Sequence, residues 1–420
     1  MQKKKKDKKE GKSKSKLKIL RAPAALLRYF RASSIVIVAI LFALLAPTPL
    51  IDKIHRERFG KNGRPPHPLK SRLLALEIQR ACNLRSENAL VEKLSMHSKA
   101  VDKLGFQAQR ECKKTPHNKV FTEFREIVNS KHTAAIFEEL VKLSIKLKVL
   151  DGRYIVLDSR VIDLCTACKC KQLKTCGYIQ RGEQSFPENC LIYRYEGAKP
   201  GVKQVEDKIY RYIGYKKHCA IDLKTGLRIA TLFTPGNVTD SAIGLELLQR
   251  IHRLGVKPLY VLADAGYDDI KIYDYIFNEL GSLAIIKINP RNTIAEFFTI
   301  QTKENERLRV SVLGTPLCKA GHRMQYIGVD GCFAIWKCAG VMDSSHLEDG
   351  KCLYNAAQDC RVFTSPVDDA RLFSLPPRET PEWWDLYRHR KEGEQTYSQY
   401  EQNLGLDIIN YTSYEDIEIH

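Results

Sequence analysis

Apolar side chains change rhythm along this chain. Between about residues 69 and 150 they recur every three to four positions, the spacing of helices that bury one face. Leu73, Leu74, Leu76 and Ile78 make the first such face, Ser86 is placed to cap a second helix over residues 87–96, and Thr115-Pro116 introduces a third carrying Val120, Phe121, Phe124 and Ile127. From Tyr154 the pattern becomes short apolar runs bounded by turns, which predicts strands at 154–157, 217–221, 227–233, 258–263 and 283–288. The segment Asp222-Leu223-Lys224-Thr225-Gly226 joins the second and third as a hairpin, with Gly226 supplying positive φ. Helices are expected over 241–254, with Leu245, Leu248 and Ile251 on one side, and over 270–280. Together these make an α/β sheet of mixed direction.

Roughly ninety residues then pass before the next marked helix, too many for a plain loop in a compact domain, so an inserted module is expected there. The helix that follows has Thr380 as cap, Pro381 in its first position and Glu382 at its positive end, and it runs through Trp383 and Trp384 into Tyr387, Arg390 and Glu394. The resulting division is a basic disordered tail with a short apolar segment (1–59), a helical DNA-binding domain (60–150), the first part of the α/β domain (151–299), a cysteine-rich insertion (300–370), and the last helix with the end of the α/β domain (371–420). In the helical part, basic residues alternate with apolar faces, which suits a helix-turn-helix-like DNA reader and many other all-helical modules.

One apolar run stands apart. Residues 35–46 (IVIVAILFALLA) follow basic residues, yet a membrane span needs about 20 apolar residues, and Pro47-Thr48-Pro49 would end a helix there. A run this short is expected to be a buried helix or the h-region of a signal peptide, with no membrane partner. A formal net charge of +19 and a pI near 9.3 favour a polyanionic partner such as nucleic acid. Lysines crowd the first eighteen residues, a segment that reads equally as a solubilising tail or as a phosphate-gripping arm.

The candidate chemistry is carboxylate. Asp158 and Asp264 are each expected to end a strand of the sheet, where α/β folds hold their chemistry. Singly, either reads as a turn former. Tyr387, Arg390 and Glu394 are spaced to bring a phenol, a guanidinium and a third carboxylate onto one helical face. Phosphodiester transfer needs an activated oxygen nucleophile and a stabilised leaving oxygen, and hard cations such as Mg²⁺ or Mn²⁺ held by carboxylates serve both. Arg390 can then hold a backbone phosphate through its planar fork, or merely pair with Glu394. Asp268 and Asp269 open a helix and read as caps; Asp222 and Asp240 sit at a turn and a helix start; His218 reads as packed or DNA-facing. Trp383 and Trp384 can stack on an unpaired base, though one of them is expected to anchor its helix.

Tyr387, Arg390 and Glu394, spaced by two and three residues, resemble the Tyr-Arg-Glu-Lys signature of bacterial insertion-sequence transposases of the DDE superfamily. Val156-Leu157-Asp158 resembles that family's first catalytic block and Ala263-Asp264-Ala265-Gly266-Tyr267 its second. The run from Gly214-Tyr215-Lys216-Lys217-His218 to Thr239-Asp240 resembles its central hairpin, and Gly63-Arg64-Pro65-Pro66 its amino-terminal domain. The resemblance implies an RNase H-like catalytic domain and metal-dependent cleavage of double-stranded DNA at transposon ends, followed by 3′-hydroxyl transfer into target DNA. It further implies Asp158, Asp264 and Glu394 as Mg²⁺ or Mn²⁺ ligands, Tyr387 and Arg390 on DNA near the cleaved end, and a homodimer on paired ends. Glu401 stands where the family has lysine, and the chain stops at His420 soon after the signature. The alternative these departures raise is a decayed remnant that binds DNA without cutting it.

Thirteen cysteines cluster, which fits a reducing, cytoplasmic setting with thiols free or metal-bound. Cys165, Cys168, Cys170 and Cys176 lie among lysines just after Asp158; zinc is the first candidate, with an iron–sulfur cluster and plain reduced thiols as alternatives. The inserted module resembles a cysteine-rich insertion of some of these transposases, and Cys318, Cys338, Cys352 and Cys360 are the preferred ribbon-like zinc set, with His322 or Cys332 as substitutes.

Overall fold

The computed structural model describes residues 48–59, 66–82, 84, 86–97, 101, 104–106, 116–164, 190, 195–205, 208–290, 295–319, 321–338 and 360–404. By its contacts the chain divides into two compact units, one containing residues 1–148 and the other mainly 149–188 and 198–397.

The first unit is helical. It holds α1 (Thr48–Arg58), α2 (Leu69–Ala81), α3 (Glu87–Ser95), α4 (Lys119–Ile127) and α5 (Ser130–Lys146). Helix α1 begins where the sequence reading ends a helix, because Pro49 falls in the first turn, where its missing N–H costs nothing. Its Ile51 and Ile54 are buried with Leu69, Phe124 and Ile127, so this helix packs into the same apolar cluster as α2 and α4. Helix α2 also contributes Leu74, Ala75 and Ile78 to a second cluster with Leu90, Leu94 and Phe121. Ser86 caps α3, accepting from the Ala89 N–H, while Asn118 and Asn129 cap α4 and α5. Between these clusters Arg72 is buried, its guanidinium paired with Glu123 at 2.8 Å and donating to the Val120 carbonyl. Removing Glu123 would strand that charge.

The second unit is built on a mixed six-stranded sheet of β1 (Tyr154–Asp163), β2 (Lys199–Val205), β3 (Lys208–Asp222), β4 (Arg228–Pro235), β5 (Tyr260–Ala263) and β6 (Leu283–Ile286). Central β1 runs antiparallel to β3 and parallel to β5, and β6 continues the parallel half. Both β2 and β4 pair with the long β3, β2 along its first half and β4 along its second. The turn between β3 and β4 is as expected: Gly226 has φ +68°, and Asp222 accepts from the Thr225 N–H and hydroxyl and from the Gly152 N–H. Helix α6 (Asp240–Arg253) packs along β3 and β4 with Leu247, Leu248 and Ile251 buried; α7 (Ile270–Asp274) continues as a π-helical turn through Glu279.

Two features differ from the sequence reading. Strand β2 and the first half of β3 form a ribbon whose Val202, Ile209 and Tyr210 are exposed, so no buried apolar run marks it. Strand β1 does not stop at Asp158 but runs on to Asp163, because its pairing with β3 continues through Asp163 and Gly214 after its parallel partner β5 has ended.

After β6 come a hairpin, β7 (Phe297–Gln301) with β8 (Arg307–Ser311), and a three-stranded antiparallel sheet, β9 (Met324–Asp330), β10 (Phe333–Cys338) and β11 (Arg361–Thr364). The segment beyond is tied to the larger sheet by Arg378, which is buried and donates to the carbonyls of Ile286, Arg371 and Leu372, and by Arg371, which forks onto the buried Asp268. Asp268 is therefore an ion-pair partner, and only Asp269 caps α7. The last described helix is α8 (Pro381–Leu404), whose Trp383 N–H donates to Thr380 Oγ1.

Candidate active site

The site grows out of one row of the sheet. Ile221, Val156, Leu262 and Ile285 stand side by side across β3, β1, β5 and β6, and with buried Trp383 of α8 they form one apolar cluster. Side chains repeat every second residue on a strand face, so two positions on, the row becomes Cys219 and Asp158, with Asp264 one residue past the end of β5. Leu157 pairs with Ala263, the last residue of β5, so Asp158 occupies the point where the parallel neighbour stops. Asp264 leaves the strand as the cap of the short turn over Ala265–Tyr267, its Oδ1 accepting from the Gly266 N–H at 2.8 Å. The two carboxylates thus lie half-buried at the edge of the apolar core.

Their titration carries the mark of that placement. Burial, and next the neighbouring Asp264, push Asp158 up to about 6, while Arg390 and Lys203 pull it down. Asp264 is raised by burial first and Asp240 second, against the Gly266 N–H, Arg390 and Lys216.

Helix α8 lies over this row. Gly393 is buried with Val156 Cγ2 only 3.0 Å from where a Cβ would stand, so a larger residue would lift the helix off β1. Along the helix Trp383 stacks on Tyr387 at 4.9 Å and 12°, Arg390 lies over the Tyr387 ring at 5.3 Å, and Arg390 pairs with Glu394. Burial raises the Tyr387 phenol, opposed by Arg390. The exposed Trp384 and buried Trp383 divide as expected, one outward and one as anchor.

Arg390 is therefore within electrostatic reach of Asp158, Asp264 and Tyr387, and it is the partner of Glu394. Among the described residues no group of three or more His, Cys, Asp or Glu side chains is arranged to hold a metal ion. The donor chemistry nevertheless suits a hard divalent cation: Asp158 and Asp264 are neighbouring carboxylates, and Asp264 Oδ1 and Asp240 Oδ2 both face the point that a Gly266 Cβ would occupy. Asp240, read from the sequence as a helix-start residue, makes no cap. It pairs with Lys216 at 3.1 Å and faces His218 at 3.5 Å.

Cys318, Cys338 and Cys360 share one apolar cluster with Met324 and Trp336, and Cys332 is exposed. Cys352 and the set Cys165, Cys168, Cys170 and Cys176 lie outside the described residues, as do residues 35–46. Glu401 falls within α8, but its side chain is outside what is described. Among the described residues no helix is long and apolar enough to cross a membrane.

No curated protein and no solved structure matches the chain. A family match covers residues 150–420, beginning just ahead of β1 and taking in Asp158, Asp264, Tyr387, Arg390 and Glu394. More than half of the sequence is matched, and the chain belongs to the transposase DDE domain family.

Proposed function

We propose that this transposase cleaves double-stranded DNA at transposon ends and transfers the freed 3′-hydroxyl into target DNA, using Asp158, Asp264 and Glu394 on an RNase H-like catalytic domain. The observation that carries the reading is the sheet register. Leu157 opposite Ala263 delivers two carboxylates from parallel neighbouring strands to one point beneath α8.

Asp158, Asp264 and Glu394 would hold Mg²⁺ or Mn²⁺, which when bound supplies Lewis-acid activation of the attacking and leaving oxygens. The rest is the work of side chains. The raised Asp158 marks a pocket that disfavours bare negative charge and so favours cation binding. Arg390, packed on Tyr387, is prepositioned to fork onto a backbone phosphate. Moving Arg390 onto a phosphate would release Glu394 from its ion pair, coupling arrival of DNA to completion of the carboxylate set.

The test is Mg²⁺- or Mn²⁺-dependent nicking of DNA carrying the element's own ends. Wild type should cut, while Glu394→Gln and Asp158→Asn should lose at least about a hundredfold in rate and still bind DNA, since each loss removes transition-state stabilisation. Binding without nicking by the wild type would refute this reading in favour of a DNA-binding remnant.

A further inference from the structure

The acidic centre contains more than its expected members. Asp240 opens α6, and its two oxygens face different ways. Oδ1 is held by Lys216 Nζ at 3.1 Å and lies 3.5 Å from His218 Nδ1, while Oδ2 points to the gap beside Gly266. Asp264 Oδ1 faces the same gap, and both oxygens stand within 3.0 Å of the point a Gly266 Cβ would occupy. Asp264 Oδ1 also accepts from the Gly266 N–H and Asp240 Oδ1 from Lys216, which leaves Asp240 Oδ2 turned to a cation on the open side of the exposed Gly266.

A second observation points the same way. Tyr267 is 1% exposed, and its hydroxyl has no hydrogen-bond partner among the described residues. Burial first, and then the charges of Asp240, Asp158 and Asp264, raise its phenol far above the usual tyrosine range, and its ring lies between the turn that Asp264 caps and Gly244 of α6, the helix that Asp240 opens. A buried O–H left unmade costs about 1–3 kcal/mol, and aliphatic packing would fill the position without that loss. On the other side His218 is fixed by Thr234 Oγ1 at 2.9 Å, which holds the wall behind Asp240 in place.

We propose that Asp240 is a fourth cation-binding carboxylate, sharing a divalent ion with Asp264, and that the Tyr267 hydroxyl donates a hydrogen bond into the ligand shell of that ion. Lys216 and His218 position Asp240 for the task. This rests on the reading of Asp158 and Asp264 as a divalent-cation centre.

The experiment is calorimetric titration of Mn²⁺ into the full chain without DNA, alongside thermal melting of each variant. Tyr267→Phe keeps the ring and its packing, and should weaken Mn²⁺ binding about tenfold without lowering the melting temperature. Asp240→Asn should weaken it by at least as much. If both variants bind Mn²⁺ like wild type while Asp158→Asn and Asp264→Asn lose it, the centre stands and the role of Asp240 and Tyr267 is overturned. If wild type itself takes up no Mn²⁺, the centre and this extension fail together.

Discussion

Asp158 is an acid whose folded pKa, about 6, lies above its ordinary 3.8. The folded protein thus binds that proton more tightly than the unfolded chain. The resulting stabilisation is complete below about pH 4 and is lost as pH rises through 6. At neutral pH the ionised carboxylate therefore weighs against the metal-free fold, by at most about 3 kcal/mol for a shift of this size. Asp158→Asn should raise the melting temperature of metal-free protein at pH 7.5, and the gain should shrink toward zero near pH 4. A gain independent of pH would show that the charge of Asp158 is not the cause. The residue was legible in the sequence because it follows an apolar run, whereas Asp240 was not. Its role depends on Lys216 and His218, which β3 brings beside the start of α6, and strand pairing cannot be read from the separate segments.

At the scale of elements, helices and buried strands were legible because burial on one face imposes periodicity, as in α3 with Leu90 and Leu94 or β1 with Ile155 to Leu157. The β2–β3 ribbon and the small sheet of β9, β10 and β11 were not, since their strands mix exposed and buried residues without a continuous apolar run. That small sheet raises a question of its own stability. Its apolar cluster is modest and includes Cys318, Cys338 and the half-buried Cys360, while the Cys360 carbonyl accepts from the Cys338 N–H. Cys318, Cys338 and Cys360 contribute to the cluster as small apolar side chains, and among the described residues they form no group arranged to hold a metal ion. Cys338→Ser, which puts a hydroxyl into this buried apolar cluster, should lower the melting temperature whether or not zinc is added. Elemental analysis finding neither zinc nor iron in wild type would eliminate a metal at either cysteine cluster.

For the whole molecule, the formal charge of +19 sets the expectation that DNA binding falls steeply with salt, because each phosphate neutralised releases a counterion. Where that charge acts is a structural matter. The β2–β3 ribbon presents Lys203, Lys208, Tyr210 and Arg211 as exposed side chains, and Lys203 also draws down the Asp158 pKa. A basic ribbon with an exposed aromatic, electrostatically linked to the acidic centre, is suited to guide a phosphate backbone toward it. The triple variant Lys203→Gln, Lys208→Gln, Arg211→Gln should therefore lower the magnitude of the slope of log affinity against log salt by about two to three, at roughly 0.9 per lost phosphate contact on duplex DNA. It should leave the melting temperature nearly unchanged, since these side chains are exposed. An unchanged slope would place the DNA elsewhere, and deletion of the lysine-rich first eighteen residues, measured the same way, would then show whether the tail carries the contacts instead.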